Sequence, residues 1–342
     1  MHRRTLAILW LVTALILAAC GQAAPTAPVA PPTTAPAAEQ PTSPPRTEKL
    51  RLIIGTGGTG GVFFPYGGGL ARILTEKMPN TEATAQETGG SVDNMKLIQN
   101  GEIQIGMSTV DSAYDGVNGI AAYEATGKVP AVTLAVLYQS FIHVVALADS
   151  GITSVADMKG HPVSVGSAGS STETAALRLL EAAGLAPSDI IQENLGVADS
   201  VAAMKDKKID AFFWIGGLPT AAVTDLVTTE SVVFIETSAL LQPMVDKYGP
   251  IYTAMTLPGG TYKGTDQDVA GIGVGNILVV NEAMPADEVK EILTTIFDNI
   301  EEVRQIHPAA RSLSLETAAT GSSIPFHPAA IEFFKEKGVW KD

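Results

Sequence analysis

Leu50-Arg51-Leu52-Ile53-Ile54 is a short apolar run stopped by glycines, which predicts a buried strand. Phe64 to Met78 follows with Leu70, Ile73 and Leu74 on one helical face, and Pro65 suits the first turn of that helix. Thr81 to Thr88 reads as a second strand. Ser91 to Gln99 reads as a helix with Val92, Met95 and Ile98 on one side. Ile103 to Met107 is a third strand, and Ser108-Thr109-Val110-Asp111 opens the next helix. This β–α–β–α–β alternation predicts a parallel sheet with helices on its faces. Val132 to Tyr138 and Ile142 to Leu147 read as two further strands.

The pattern then restarts. Ser154 and Asp157 stand in capping-box spacing ahead of a short helix that ends before Gly160. Pro162 to Val165 is a strand, and Glu173 to Ala183 is a helix stopped by Gly184. Ser200 to Asp206 reads as a helix and Ile209 to Ile215 as a strand. Two βα series of this kind predict two similar α/β lobes with a cleft between them. Ala270 to Val280 is long enough to carry the chain back to the first lobe. Glu288 to Ile306 and Pro328 to Lys337 are the last helices. The expected division is residues 49–150 plus 264–342 for one lobe and 151–263 for the other.

The ends and the charge narrow the setting. Arg3 and Arg4 precede an apolar run, Thr5 to Ala19, which has the form of an export signal and is too short for a comfortable membrane span. Its end, Leu17-Ala18-Ala19-Cys20-Gly21, resembles the bacterial lipobox, which implies removal of residues 1–19 and lipidation of Cys20. An ordinary signal beside a coincidental cysteine is the alternative. Residues 20–48, rich in Ala, Pro and Thr, have the composition of a disordered tether. Cys20 is the one cysteine, so the folded part has no disulfide, thiolate metal site or cysteine nucleophile. Losing Arg3 and Arg4 leaves 20 basic against 36 acidic residues, a net charge of −16. That excess argues against nucleic acid and against a basic membrane-binding patch.

Candidate chemistry lies in three glycine-rich turns, Gly55 to Gly61, Thr88 to Ser91 and Gly166 to Thr172. Each precedes a predicted helix, where unpaired N–H groups and the helix dipole favour an anion and glycine lets it approach. Gly55-x-Gly57-x-x-Gly60 matches a dinucleotide fingerprint, but Glu76 falls in the following helix, whereas the acid of that fingerprint belongs at the end of the next strand. There is no Gly-x-Ser-x-Gly elbow and no phosphate-loop Gly-Lys-Ser/Thr. His143, His161, His307 and His327 show no metal-ligand spacing. No catalytic residue, metal or cofactor is therefore expected. No arginine falls in the turns, so an anion would be held by N–H groups and by the hydroxyls of Thr59, Thr88, Ser91, Ser167, Ser170, Ser171 and Thr172. Helix caps or turn residues are the alternative role for each. Gly57, Gly60 and Gly90 permit close approach. Phe63, Tyr66, Tyr138 and Trp214 are the aromatics placed to line a cleft, while Phe212 and Phe213 read as core.

At these residues the chain resembles the TAXI-type solute receptors of TRAP transporters. The match runs through Gly55 to Gly61 with Phe63-Phe64-Pro65, Gly89 to Asn94, Ser154 to Gly160, Val163 to Gly166, Gly169 to Glu173, Lys208 to Phe213, Pro258 to Tyr262 and Ile324 to Pro328. The resemblance implies a two-lobed type II periplasmic-binding-protein fold with a hinged cleft that closes on a small organic acid or amino acid, with glutamate-like ligands typical. It implies docking onto an ion-driven membrane carrier with fused small and large subunits. Carried over by motif, it points to Thr59, Gly60, Phe63, Thr88, Gly90, Ser91, Ser167, Ser170, Ser171, Thr172 and Trp214. The lipobox and tether depart from the soluble periplasmic relatives and imply a lipid-anchored extracytoplasmic protein. A receptor for an ATP-driven importer, a secreted enzyme or dinucleotide-binding protein, and an adhesion or signalling protein remain alternatives.

Overall fold

The structure, a computed structural model, describes residues 48–341. The export segment, Cys20 and the tether up to residue 47 lie outside the described residues. The first βα series is β1 (Leu50–Gly55), α1 (Phe63–Lys77), β2 (Thr81–Gln86), α2 (Ser91–Asn100), β3 (Ile105–Thr109) and α3 (Val110–Asn118). β1 pairs in parallel with both β2 and β3, as the alternation predicts. Leu70, Ile73 and Leu74 of α1 and Val92, Met95 and Ile98 of α2 are buried, so the apolar stripes face the sheet.

β4 (Ala131–Leu147) is one continuous strand where the sequence reads as two. The polar pair Gln139-Ser140 does not break it. Gln139 points to solvent, while Ser140 is buried and its hydroxyl accepts a hydrogen bond from Asn276 Nδ2 at 2.8 Å. The second series comprises β5 (Pro162–Ser164), α4 (Ser171–Ala182), β6 (Ile191–Glu193), α5 (Val197–Lys205) and β7 (Ala211–Gly216). α6 (Ala221–Thr229), β8 (Val232–Phe234), α7 (Leu241–Tyr248) and β9 (Tyr252–Leu257) follow. The strand predicted from Ala270 is β10 (Val269–Asn281).

The sheet order is β2-β1-β3-β10-β4-β7-β5-β6, with β8 on β4 and β9 on β10. β10 pairs with β9 through its first half and with β3 through its second. The C-terminal stretch of β4 pairs with β7 and β8. These two long strands thus run through both series, and β10 shifts register against β4 at Asn276/Ile277. α8 (Ala286–Asp298), α9 (Ile300–Ile306), α10 (Leu315–Ala318) and α11 (Pro328–Glu336) complete the chain. The helix expected over 288–306 is broken at Asn299, whose side chain donates to Thr295 O at 2.8 Å and takes the place of a helical bond. Among the described residues no helix is long and apolar enough to cross a membrane.

Candidate functional site

A cleft of about 160 Å³ lies between the helix starts of the two series. The 57–63 segment, Glu87, Gly89 to Ser91, Thr109, Tyr138 and Asn276 line one side. Ser167, Ser170 to Thr172, Gly196 to Asp199, Trp214 and Ile215 line the other. Four helices begin at its wall: α1, α2, α4 and α5. Among the described residues the backbone N–H groups of Ser91, Val92, Ser171, Thr172, Val197, Ala198 and Asp199 carry no hydrogen bond to protein. Unpaired donors and the positive ends of four helix dipoles favour an anionic group there.

The fourth helix start escapes sequence reading. Ser200, where the sequence reading begins this helix, belongs to the second turn of α5, which is capped by Gly196, and its hydroxyl bonds Ser164 at 2.9 Å. α4 likewise starts at Ser171, ahead of the predicted Glu173, because Ser170 caps it: Ser170 Oγ accepts from Glu173 N at 3.2 Å.

The two walls touch. Asp93 N donates to Gly169 O at 3.1 Å, and Ser91 Oγ donates to Ser171 Oγ at 3.3 Å. The glycines at this seam have little room. A Cβ on Gly89 would sit 2.6 Å from Ala168 O, on Gly60 2.9 Å from Ala198 Cβ, and on Gly61 2.7 Å from Trp214 Cη2. The two sides are therefore in direct contact at the seam.

Twelve of the fourteen residues singled out in the sequence line this cleft: Gly57, Thr59, Gly60, Phe63, Gly90, Ser91, Tyr138, Ser167, Ser170, Ser171, Thr172 and Trp214. The other two stand behind it. Tyr66 is fully buried and stacks on Tyr138 at 5.9 Å, because its position on α1 faces the sheet. Thr88 supports the turn: its hydroxyl accepts from Gly90 N at 3.1 Å and donates to Asn94 Oδ1 at 2.8 Å. Several hydroxyls in the wall are spent on structure as well. Thr172 Oγ1 accepts from Ile215 N at 3.2 Å and Ser91 Oγ from Thr109 N at 3.1 Å. The helix-start amides thus outnumber the free hydroxyls.

Glu87, Thr109, Asp199 and Asn276 are polar residues of the wall that lie outside the three glycine-rich turns. Glu87 follows β2 and Asp199 sits in the first turn of α5, both exposed. The wall contains no lysine, arginine or histidine. Burial raises the pKa of the Tyr138 phenol well above its usual range, so it is neutral in the cleft.

Trp214 is held from behind. Its Nε1 donates to Thr220 Oγ1 at 3.0 Å, Thr220 N donates to Tyr262 OH at 2.8 Å, and Tyr262 OH reaches His143 Nε2 at 3.0 Å. His143 Nδ1 faces the carbonyls of Phe141 and Trp214, so Nδ1 carries the proton and Nε2 accepts. Burial pushes the His143 imidazole down to about 4, leaving it neutral at pH 7. On another face a buried network joins the two series. Arg178 of α4 donates to Asp115 of α3 at 2.6 Å and to Tyr252 OH at 3.0 Å, and Tyr252 OH donates to Asp111 at 2.8 Å. Burial lifts the Asp115 carboxyl to about 6 against the pull of Arg178. Among the described residues no cluster of His, Cys, Asp and Glu could hold a metal ion.

Residues 54–338 match the NMT1-like family. The chain belongs to that family. Among solved structures, a protein of Bordetella bronchiseptica is 15% identical, with 86% of this chain and 90% of that chain covered and a TM-score of 0.50. A structure described as a periplasmic transporter is 14% identical, covering 85% and 92%, also with a TM-score of 0.50. The periplasmic aliphatic sulphonate binding protein SsuA of Escherichia coli is 19% identical over 86% of this chain and 79% of its own, with a TM-score of 0.47. The architecture is accordingly the two-lobed α/β binding-protein fold that the two βα series predict.

Proposed function

We propose that this member of the NMT1-like family is an extracytoplasmic solute receptor and not an enzyme. It captures a small organic acid or amino acid, of which glutamate is the type suggested by the TAXI resemblance, and hands it to an ion-gradient-driven TRAP membrane carrier. The observation that carries this reading is the convergence of four helix starts, with unpaired N–H groups, on one small cleft. A cavity of about 160 Å³ suits a small solute, since pockets for drug-sized ligands run to roughly 300–1,000 Å³.

In this account the lobes are residues 49–150 plus 264–342 and residues 151–263, and β4 and β10 are the connections about which they hinge. The solute's carboxylate bridges Ser91 and Val92 of one lobe to Ser171 and Thr172 of the other, and so favours the closed form. Lipidation of Cys20 holds the receptor at the membrane, with residues 20–48 as its tether. Thermal shift of the purified protein across carboxylic acids, amino acids and nucleotides tests the capture step, because a bound solute raises stability as RT ln(1 + [L]/Kd). Silence of every carboxylate and amino acid refutes it, and a response confined to nucleotides favours the dinucleotide reading. Uptake in vesicles carrying the receptor and its carrier identifies the partner: dependence on an ion gradient supports a TRAP carrier, and dependence on ATP an importer of the other kind.

A further inference from the structure

The electrostatic character of the wall is lopsided in a way that bears on the solute's other end. Donors come only from uncharged groups, the helix-start amides and a few hydroxyls. The wall's only formal charges are two carboxylates, Glu87 and Asp199. Among the described residues neither has a hydrogen bond or ion pair within the protein. They come from opposite sides of the cleft, Glu87 following β2 and Asp199 in the first turn of α5.

An independent observation points the same way. Asn276 lines the cleft at the register shift of β10 and is 1% exposed. Its Nδ2 donates to Tyr138 O at 3.1 Å and to Ser140 Oγ at 2.8 Å, which fixes the orientation of the amide. Its Oδ1 is then a buried acceptor with no donor in the protein. A buried acceptor left without a partner is costly, and it calls for an N–H or O–H donor from outside the chain, which a ligand's ammonium or a water it holds can supply. The wall therefore presents two anionic acceptors and one orphaned neutral acceptor, with no cation to answer a second negative charge.

From this we infer that the captured solute carries an ammonium group and only one carboxylate, so that it is a zwitterion of zero net charge, with Glu87 and Asp199 reading its cationic end. This rests on the receptor reading above, narrows its solute to the amino acids, and sets aside the glutamate-like type, because a second acid would lie against Glu87 or Asp199.

The test uses the full mature chain and probes matched in size but differing in charge. Glutamine, glutamate and glutarate form one series, and asparagine, aspartate and succinate another. Affinity is measured by calorimetry, with thermal shift as the first screen. The expected order in each series is amide amino acid, then acidic amino acid, then dicarboxylate. Glu87→Gln and Asp199→Asn should each weaken the zwitterion by several-fold, up to about fivefold as for an exposed ion pair, and should leave the dicarboxylate unchanged or tighter. The opposite signs for the two probes separate charge recognition from a general loss of fold, and both residues are exposed, so the variants should fold. Dicarboxylates binding as tightly as the zwitterions would overturn the inference while leaving the receptor reading intact. So would variants that bind the zwitterion with unchanged affinity. No response from any of these six probes would overturn this inference, while the receptor reading stands or falls on the wider panel above.

Discussion

A methyl group added at Gly61 would lie 2.7 Å from Cη2 and 3.0 Å from Cζ2 of Trp214. Ordinary carbon contacts lie near 3.5–4.0 Å, so the ring or the 57–63 loop must retreat by about 1 Å. Trp214 has little freedom to do so, because its indole N–H is tied to Thr220 Oγ1 at 3.0 Å. Gly61 does not have a positive φ, so alanine costs nothing in backbone strain. The penalty therefore falls where the 57–63 loop meets Trp214, which the proposed function takes to be the contact made on closure. Overpacking of this size costs about 1–3 kcal/mol, which predicts affinity weaker by about 5- to 150-fold. The melting temperature of the solute-free protein should change little if that protein rests open. Gly58→Ala is the matched control: it lies in the same loop, without a positive φ, and a Cβ there meets nothing within 4 Å. Calorimetry on both variants with one solute decides the matter. Equal affinities for Gly61→Ala and the unaltered protein, or equal losses for both variants, would refute closure of these two walls as the binding step.

Other predictions follow from the buried groups. His143 sits at about 4 in the folded protein against an ordinary 6.5, so its contribution is present above 6.5 and is lost as pH falls toward 4. At about 1.4 kcal/mol per pH unit this is about 3 kcal/mol, and His143→Phe should flatten the acid limb of a urea-stability profile. Asp115 acts with the opposite sign, since its raised pKa stabilises the fold below its ordinary 3.8 and that contribution is lost as pH rises through about 6. Asp115→Asn should therefore steepen the acid limb. Arg178→Ala leaves Asp115 buried without its partner and should cost about 3–5 kcal/mol in urea unfolding, much of it recovered in Arg178→Met combined with Asp115→Asn. Ser171→Ala should weaken solute binding by no more than about tenfold, because the amides of the same turn remain; a hundredfold loss would mean that the hydroxyl carries the site.

The first βα series was legible because its apolar runs are short and each ends at a glycine or a helix cap. Ser154 with Asp157 and Ser170 with Glu173 stand as local signals that the structure uses as caps. Where long-range pairing decides, local reading falls short. Gln139 and Ser140 look like a break, yet pairing with β10 and β7 carries β4 straight through them. The sequence reading places no element between Leu218 and Lys263, and the short strands β8 and β9 there are held by pairing with β4 and β10. α5 starts three residues ahead of Ser200, at Val197, behind a Gly196 cap that makes no side-chain hydrogen bond and so leaves no local signal. In the cleft, glycine turns marked the helix starts well, but their hydroxyls divide between caps and cleft in a way only coordinates reveal. Asn276 is a lone amide inside an apolar strand, a signal that no glycine turn accompanies. Glu87 and Asp199 carried none, because an acidic residue after a strand or in the first turn of a helix is ordinary.

The central claim is that main-chain amides at paired helix starts grip the solute. A crystal structure of the solute-bound protein tests it most directly. The account predicts carboxylate oxygens at about 2.7–3.2 Å from the N–H groups of Ser91 or Val92 and of Ser171 or Thr172. A carboxylate held by a lysine or arginine, or a solute lodged away from these four amides, would contradict it.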